Sequence, residues 1–204
     1  MISHSPKLLD KTKPLAVKPG RTINKVGIIG AGQMGSGIAH VVALSGYKVA
    51  LNDLKREFYD KGIETISKNM VRQITKGVIK EEDKDEALKR ITYAPSKEAF
   101  GDCDIVIEAA TENEELKHKI FEALCPHLKP SAILASNTSS ISITRLAATT
   151  DRPEDFIGMH FMNPVPLMEL VELIRGIATE DETFATARAF VESLGKTTAV
   201  SEDF

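Results

Sequence analysis

The passage from Val26 to Gly46 limits what this chain can fold into more than any other. A short run suited to a buried strand, Val26 to Ile29, leads directly into Gly30-Ala31-Gly32-Gln33-Met34-Gly35. A helical pattern then runs from about Met34 to Ser45 and is closed by Gly46. Glycines at the first, third and sixth positions of such a turn have separate uses: the first permits a tight bend, the second lets backbone approach a pyrophosphate, and the third lets the helix pack closely on the strand. The helix N-terminus then offers free amides and a partial positive charge to an anion. Glycines in a loop are common, so the pattern gains its meaning from its place between strand and helix. It gains more from Asp53, which follows a second strand, Lys48 to Asn52. A carboxylate there suits an adenosine ribose 2′-hydroxyl and repels the extra phosphate of NADP. The expected cofactor is therefore NAD, held by Gly30, Ala31, Gly32, Gln33, Met34, Gly35 and Asp53; Lys55 and Arg56 are the features that favour NADP.

The same alternation continues along the chain. Phe58 to Gly77 reads as a long helix, and Ile105 to Ala109 and Ile133 to Ser136 as buried strands. Between those strands a helix is expected from about Glu112 to Leu128, opened by a capping box of Thr111 and Glu114. Phe156 to His160 and Leu167 to Ile174 form two later strands. Thr179 with Glu182 opens a last helix to about Leu194, and Thr197 to Val200 is a final strand. Strands alternating with helices predict a doubly wound α/β domain of Rossmann type, with a mostly parallel sheet and helices on both faces. It is expected to span residues 25–204.

Composition narrows the function. The 42% hydrophobic and 27% charged residues of this 204-residue chain are ordinary for a soluble globular domain. No apolar run approaches the roughly 18 residues of a membrane helix. Cys103 and Cys125 belong to no CxxC or Cys/His cluster, so neither a structural metal nor a disulfide framework is expected, and a reducing compartment is. The segment Met1 to Lys25 carries six cations against Asp10, a net of +5, which leaves −8 on the rest of a chain whose total is −3. An acidic body lacks the broad basic face that nucleic acid requires. Residues 1–24, with Pro6, Pro14, Pro19 and Gly20, read as a flexible basic tail. One arginine and three prolines suit a mitochondrial presequence poorly. The expected location is the cytoplasm, with the mitochondrial matrix as the alternative.

Chemistry beyond the cofactor centres on His160 and Glu172. Fully extended, the chain between them would span about 40 Å, so they meet only if it doubles back. Pro164 and Pro166 favour that reversal. Glu172 stands among Leu170, Val171, Leu173 and Ile174, where a carboxylate is costly to bury unless paired. Brought to His160, it would orient the ring and leave the other nitrogen to take a hydroxyl proton. A base beside an NAD pocket suggests alcohol oxidation. Ala135-Ser136-Asn137-Thr138-Ser139-Ser140 follows a buried strand and so lies at the carboxyl edge of the sheet, where ligands of open α/β folds bind. Ser140 or Ser142 also suits the cap of a short helix running to Ala148.

GIIGAGQMGSGIA, VIEAATENEELK, ASNTSS and HFMNPVPLMELVE follow one another in the order seen in the NAD-binding domain of 3-hydroxyacyl-CoA dehydrogenases, which the chain resembles from about Lys25 to Asp203. The resemblance implies that NAD oxidises the 3-hydroxy group of a short-chain 3-hydroxyacyl-CoA. It implies His160 as the base and Glu172 as its partner, with Ser139 and Asn163 hydrogen-bonding the substrate's 3-oxygen and the neighbouring site. It places Glu112, Lys117 and Ser139 in the cofactor pocket, and coenzyme A along the long helix, where Lys68, Arg72 and Lys76 share one face and steer its phosphates. Lys80 continues that four-residue spacing. In the family, a Pro-Gly-Phe segment and an all-helical second domain follow at this point, and the second domain forms the dimer. The chain stops at Phe204, so the resemblance implies a nucleotide-binding half that turns over poorly alone and dimerises only with the missing domain. Two other functions fit the glycine loop: a noncatalytic NAD(H)-binding module, and a related hydroxyacid or sugar-acid dehydrogenase.

Overall fold

Strand β1 (Lys25–Ile29) is buried over four of its five residues because it lies inside the sheet, paired in parallel with β2 (Lys48–Asn52) on one side and β4 (Ile105–Glu108) on the other. The computed structural model describes residues 20–203, and the basic prefix up to residue 19 lies outside the described residues. Eight strands form one sheet in the order β3-β2-β1-β4-β5-β6-β7-β8. These add β3 (Ile91–Tyr93), β5 (Ile133–Ser136), β6 (Phe156–Phe161), β7 (Leu170–Arg175) and β8 (Thr197–Glu202). All neighbours are parallel except β6 and β7, which are antiparallel. The doubly wound fold expected from the alternation is therefore present, with one antiparallel pairing where the prolines reverse the chain.

Alternate strand residues feed two cores. Val26, Ile28, Ile105, Ile107, Ile133 and Ala135 pack with helices α1 (Gln33–Leu44), α2 (Arg56–Thr75), α3 (Glu81–Arg90) and α6 (Asp181–Ser193). On the other face, Ile29, Val106 and Leu134 pack with α4 (Glu114–Leu124) and α5 (Ile143–Ala148), where Phe121 and Phe156 meet edge to face at 5.0 Å. Gly46, at φ 96°, closes α1 as expected. Strand order reverses between β1 and β4, so the loops after these two strands part and leave a crevice at the carboxyl edge.

Several boundaries differ from the sequence reading. Helix α4 begins at Glu114, capped by Asn113, whose side chain accepts the Leu116 N–H; Thr111 instead accepts the Asn113 N–H. Pro126 ends it in a 3-10 turn over Cys125–His127. Thr179 does not cap α6: its hydroxyl donates to the Phe156 carbonyl at 2.7 Å and accepts the Gly176 N–H, and Glu180 holds the cap position. Ser142, of the two serines considered, caps α5. Arg21, read as part of the tail, is fastened to the body. Its N–H donates to Thr186 Oγ1 at 2.9 Å, and its guanidinium reaches the Ser131 carbonyl and pairs with Asp155.

Candidate active site

The glycine loop owes its shape to contacts that side chains would spoil. Gly30 has φ 102° and donates its N–H to the Asn52 carbonyl at 2.9 Å. A Cβ on Gly35 would lie 1.7 Å from the Gly30 carbonyl oxygen, whereas one on Gly32 would meet nothing within 4 Å. Gly32 thus leaves open space in front of the amides of α1, whose first turn holds no acidic residue. Gly32 and Gln33 are exposed there and Met34 half-buried. Asp53 closes the loop: Oδ2 accepts the Ala31 N–H at 2.7 Å and Oδ1 the Leu54 N–H at 2.6 Å. A carboxylate has about four acceptor positions, so two stay available to ribose hydroxyls.

Asp53 lines two cavities. One, of about 500 Å³, runs past Gly30, Leu54, Lys97, Ala110 and Thr111, and the other, of about 410 Å³, past Ala31, Gly32, Gln33 and Lys61. A loop built around open amides, a carboxylate and flanking clefts fits a dinucleotide. Arg56, a feature that favoured NADP, is engaged elsewhere: it binds Asp60 and its guanidinium lies over the rings of Tyr59 and Tyr93, 5.1 and 4.8 Å from their centres. Lys97, which sequence reasoning missed, stands in the larger cleft with Nζ 3.3 Å from Asn52 Oδ1. Burial pushes its pKa down, and Asp53 pulls it back up. No spacing rule pointed to it, because it opens a single 3-10 turn, Lys97–Phe100, beyond the short strand β3.

The ASNTSS run separates into structural and open groups. Ser136 Oγ donates to Glu108 Oε1 at 2.8 Å, Asn137 Oδ1 accepts the Phe161 N–H at 2.9 Å, and Thr138 Oγ1 donates to Glu112 Oε2 at 2.8 Å. Ser139 and Ser140 remain exposed. Glu112 is exposed in the loop between β4 and α4. Lys117 is not: its side chain is fully buried and ion-paired with Glu108, which is buried as completely. Lys117 follows the Asn113 cap by a full turn and so faces inward rather than toward the cleft. Glu108 also accepts the Ala110 N–H at 2.8 Å, which ties the buried pair to the loop after β4.

His160 and Glu172 meet as expected. They are directly opposed Cα partners on β6 and β7, and Nδ1 lies 3.0 Å from Oε2. Opposed residues on antiparallel strands hold their Cβ atoms about 5 Å apart, so the register itself makes the pair. Glu172 is not buried among its apolar neighbours. Strand alternation turns Val171 and Leu173 into the core and leaves its side chain 44% exposed. With Glu172 accepting at Nδ1, the neutral ring keeps its lone pair on Nε2, which has no protein partner among the described residues. Ser136 of β5 pairs with Gly158 of β6, which brings Ser139, three residues past the end of β5, and His160 on β6 to the same edge of the sheet.

The loop between β6 and β7 is pinned by Lys196, whose ammonium donates to the carbonyls of Val165 and Met168 at 2.6 and 2.7 Å. Asn163 is exposed in this loop and lines a small cavity of about 110 Å³ with Gln33, Ser36 and His40. The basic stripe divides. Arg72 and Lys76 line a cavity of about 340 Å³ facing Pro164, Pro166 and Leu167, whereas Lys68 is exposed and paired with Glu64 at 2.6 Å. Lys80 leaves the stripe to open α3. Among the described residues, no group of three or more His, Cys, Asp or Glu side chains is placed to hold a metal, and no helix is long and apolar enough to cross a membrane.

The family model described as the 3-hydroxyacyl-CoA dehydrogenase NAD-binding domain matches residues 25–204. A 3-hydroxybutyryl-CoA dehydrogenase of Bradyrhizobium diazoefficiens is 63% identical over 182 residues, covering 89% of this chain and 62% of the relative. A probable 3-hydroxybutyryl-CoA dehydrogenase of Bacillus subtilis is 44% identical over 182 residues, covering 89% and 63%. The crystal structure of an (S)-3-hydroxybutyryl-CoA dehydrogenase from Ralstonia eutropha is similar with a TM-score of 0.88 at 47% identity, over 90% of this chain and 65% of that one. The chain spans a little under two thirds of the length of these relatives. It belongs to the 3-hydroxyacyl-CoA dehydrogenase family, whose NAD-binding domain it forms.

Proposed function

We propose that this domain is the cofactor-binding half of an enzyme that interconverts short-chain 3-hydroxyacyl-CoA and 3-oxoacyl-CoA. The observation that carries the reading is the His160–Glu172 contact of 3.0 Å at the sheet edge that also holds the glycine loop and Ser139. When bound, NAD supplies the acceptor for the hydride leaving C3 of the substrate. His160 Nε2 takes the proton of the 3-hydroxyl, while Glu172 fixes the ring through Nδ1. Ser139 and Asn163, both exposed beside that edge, donate hydrogen bonds to the 3-oxygen and the neighbouring site. Glu112 borders the nicotinamide half of the cleft, and Lys117 supports it from the interior through Glu108. Arg72 and Lys76 supply positive charge for the phosphates of coenzyme A, with Lys68 contributing only long-range attraction. A cytoplasmic location, and a dimer formed through a further helical domain, belong to the same proposal.

Loss of NADH absorbance is the test, followed with acetoacetyl-CoA, free acetoacetate and a sugar keto-acid in parallel. Oxidation with the thioester alone is expected. Equal oxidation with the free acids would contradict the thioester specificity, and NADH binding without turnover on any of them would favour a noncatalytic NAD(H)-binding module.

A further inference from the structure

His40 lies on α1, outside every motif that carries the proposed chemistry. It is 1% exposed. Its Nε2 faces Gln73 Oε1 of α2 at 2.8 Å, while its Nδ1 is buried and has no partner among the described residues. With the Gln73 oxygen opposite Nε2, the ring hydrogen sits on Nε2 and Nδ1 holds a bare lone pair. Burial pushes the His40 pKa down, and Lys196 acts in the same direction, which keeps the ring neutral; the Gln73 contact opposes them. Unpaired buried acceptors are rare in folded proteins and call for a reason.

Its surroundings supply one. His40 lines both cavities beside the proline loop, which also share Asn69, Pro164 and Pro166. Arg72 and Lys76 line one cavity, and Gln33 and Asn163 the other. A ligand with phosphates at the cationic end and its reacting group at the Asn163 end must lay its connecting arm between them. The arm of coenzyme A carries two amide N–H groups and one hydroxyl, all of them hydrogen-bond donors.

We infer that His40 is a positioning residue for the substrate, its Nδ1 accepting a hydrogen bond from a donor on the pantetheine arm of a coenzyme A thioester. This rests on the acyl-CoA reading above. The bond fixes how far the arm reaches and so where the acyl group stands relative to His160. The groove between α1, α2 and the proline loop then reads the arm as well as the phosphates.

Calorimetric binding to the NADH-loaded domain tests this, using coenzyme A, pantetheine and adenosine 3′,5′-bisphosphate, which lacks the arm. His40→Leu removes the acceptor, whereas His40→Asn keeps an acceptor near the Nδ1 position. Coenzyme A and pantetheine should each bind about tenfold more weakly to His40→Leu, about 1.4 kcal/mol. The bisphosphate should bind unchanged, and His40→Asn should recover most of the loss. Unaltered pantetheine and coenzyme A binding in His40→Leu would overturn the inference while leaving the acyl-CoA reading intact. Equal weakening of the bisphosphate would overturn it too, by showing a general distortion of the groove. Failure of the wild-type domain to bind coenzyme A at all would instead remove the acyl-CoA reading on which it stands.

Discussion

Asp53 does two things with one carboxylate: it ties the Ala31 and Leu54 amides together and keeps acceptor positions open toward the cleft. Asp53→Asn keeps the shape but gives up the charge and one acceptor oxygen. Hydrogen bonds to charged groups contribute about 1.5–3 kcal/mol, so NADH should bind at least tenfold more weakly. NADPH should lose less or gain, because the repulsion against its extra phosphate is gone. Fluorescence titration of both nucleotides checks this, and an unchanged ratio of the two affinities would contradict it. Asp53 was legible in the sequence because its position after a second strand is set by the fold itself. Lys97 and His40 were not, since their neighbours come from distant parts of the chain: Asn52 lies 45 positions from Lys97, and Gln73 33 positions from His40. Lys117 misled for a related reason. A charged residue near the start of a helix reads as solvated or ligand-facing until its buried partner Glu108 is seen.

Among the elements, β6 carries His160, the proposed base, and depends on the motif beside it. Asn137 Oδ1 accepts the N–H of Phe161, the residue after His160, and the bond is buried. Asn137→Ala leaves that N–H unpaired inside the protein, at a cost of about 1–3 kcal/mol. The midpoint of urea unfolding should fall accordingly while the far-UV spectrum at zero urea stays the same. A midpoint within error of wild type would show that water replaces the bond. Long, patterned elements were readable from the sequence: α1, α2 and the central strands lie within a few residues of expectation. Helix α3 and strand β3 were not. Glu81–Arg90 is almost wholly charged and buries only Ala87, so it shows no apolar stripe, and β3 has three residues. Caps misled where a threonine had a better partner, as Thr179 does in the Phe156 carbonyl.

Across the whole molecule, stability should respond to acid through carboxylates that fasten the sheet. Asp104 accepts the N–H groups of Asn24 and Lys25 and pairs with Lys129, anchoring the start of β1 beside β4. Burial pushes its pKa up, but the bonds from Lys129 and the two amides together hold it below the usual value. A depressed carboxylate stabilises the fold above its unfolded value, near 3.9, and that contribution is lost as pH falls through the folded value. Urea midpoints should therefore drop below about pH 4, and Asp104→Asn should lower the neutral plateau and flatten that acid limb; a limb as steep as wild type would contradict the assignment. The crevice between β1 and β4, and His160 on β6, the proposed base, share one edge of one sheet. That much was legible, because G-x-G-x-x-G fixes one and the proline reversal the other. The most direct test is a single-turnover reaction of NADH-loaded protein with acetoacetyl-CoA, comparing wild type with His160→Gln at equal NADH occupancy. The wild type should oxidise NADH, and the variant should do so about 10²–10⁴-fold more slowly, with NADH affinity unchanged. Equal rates in the two proteins would contradict it.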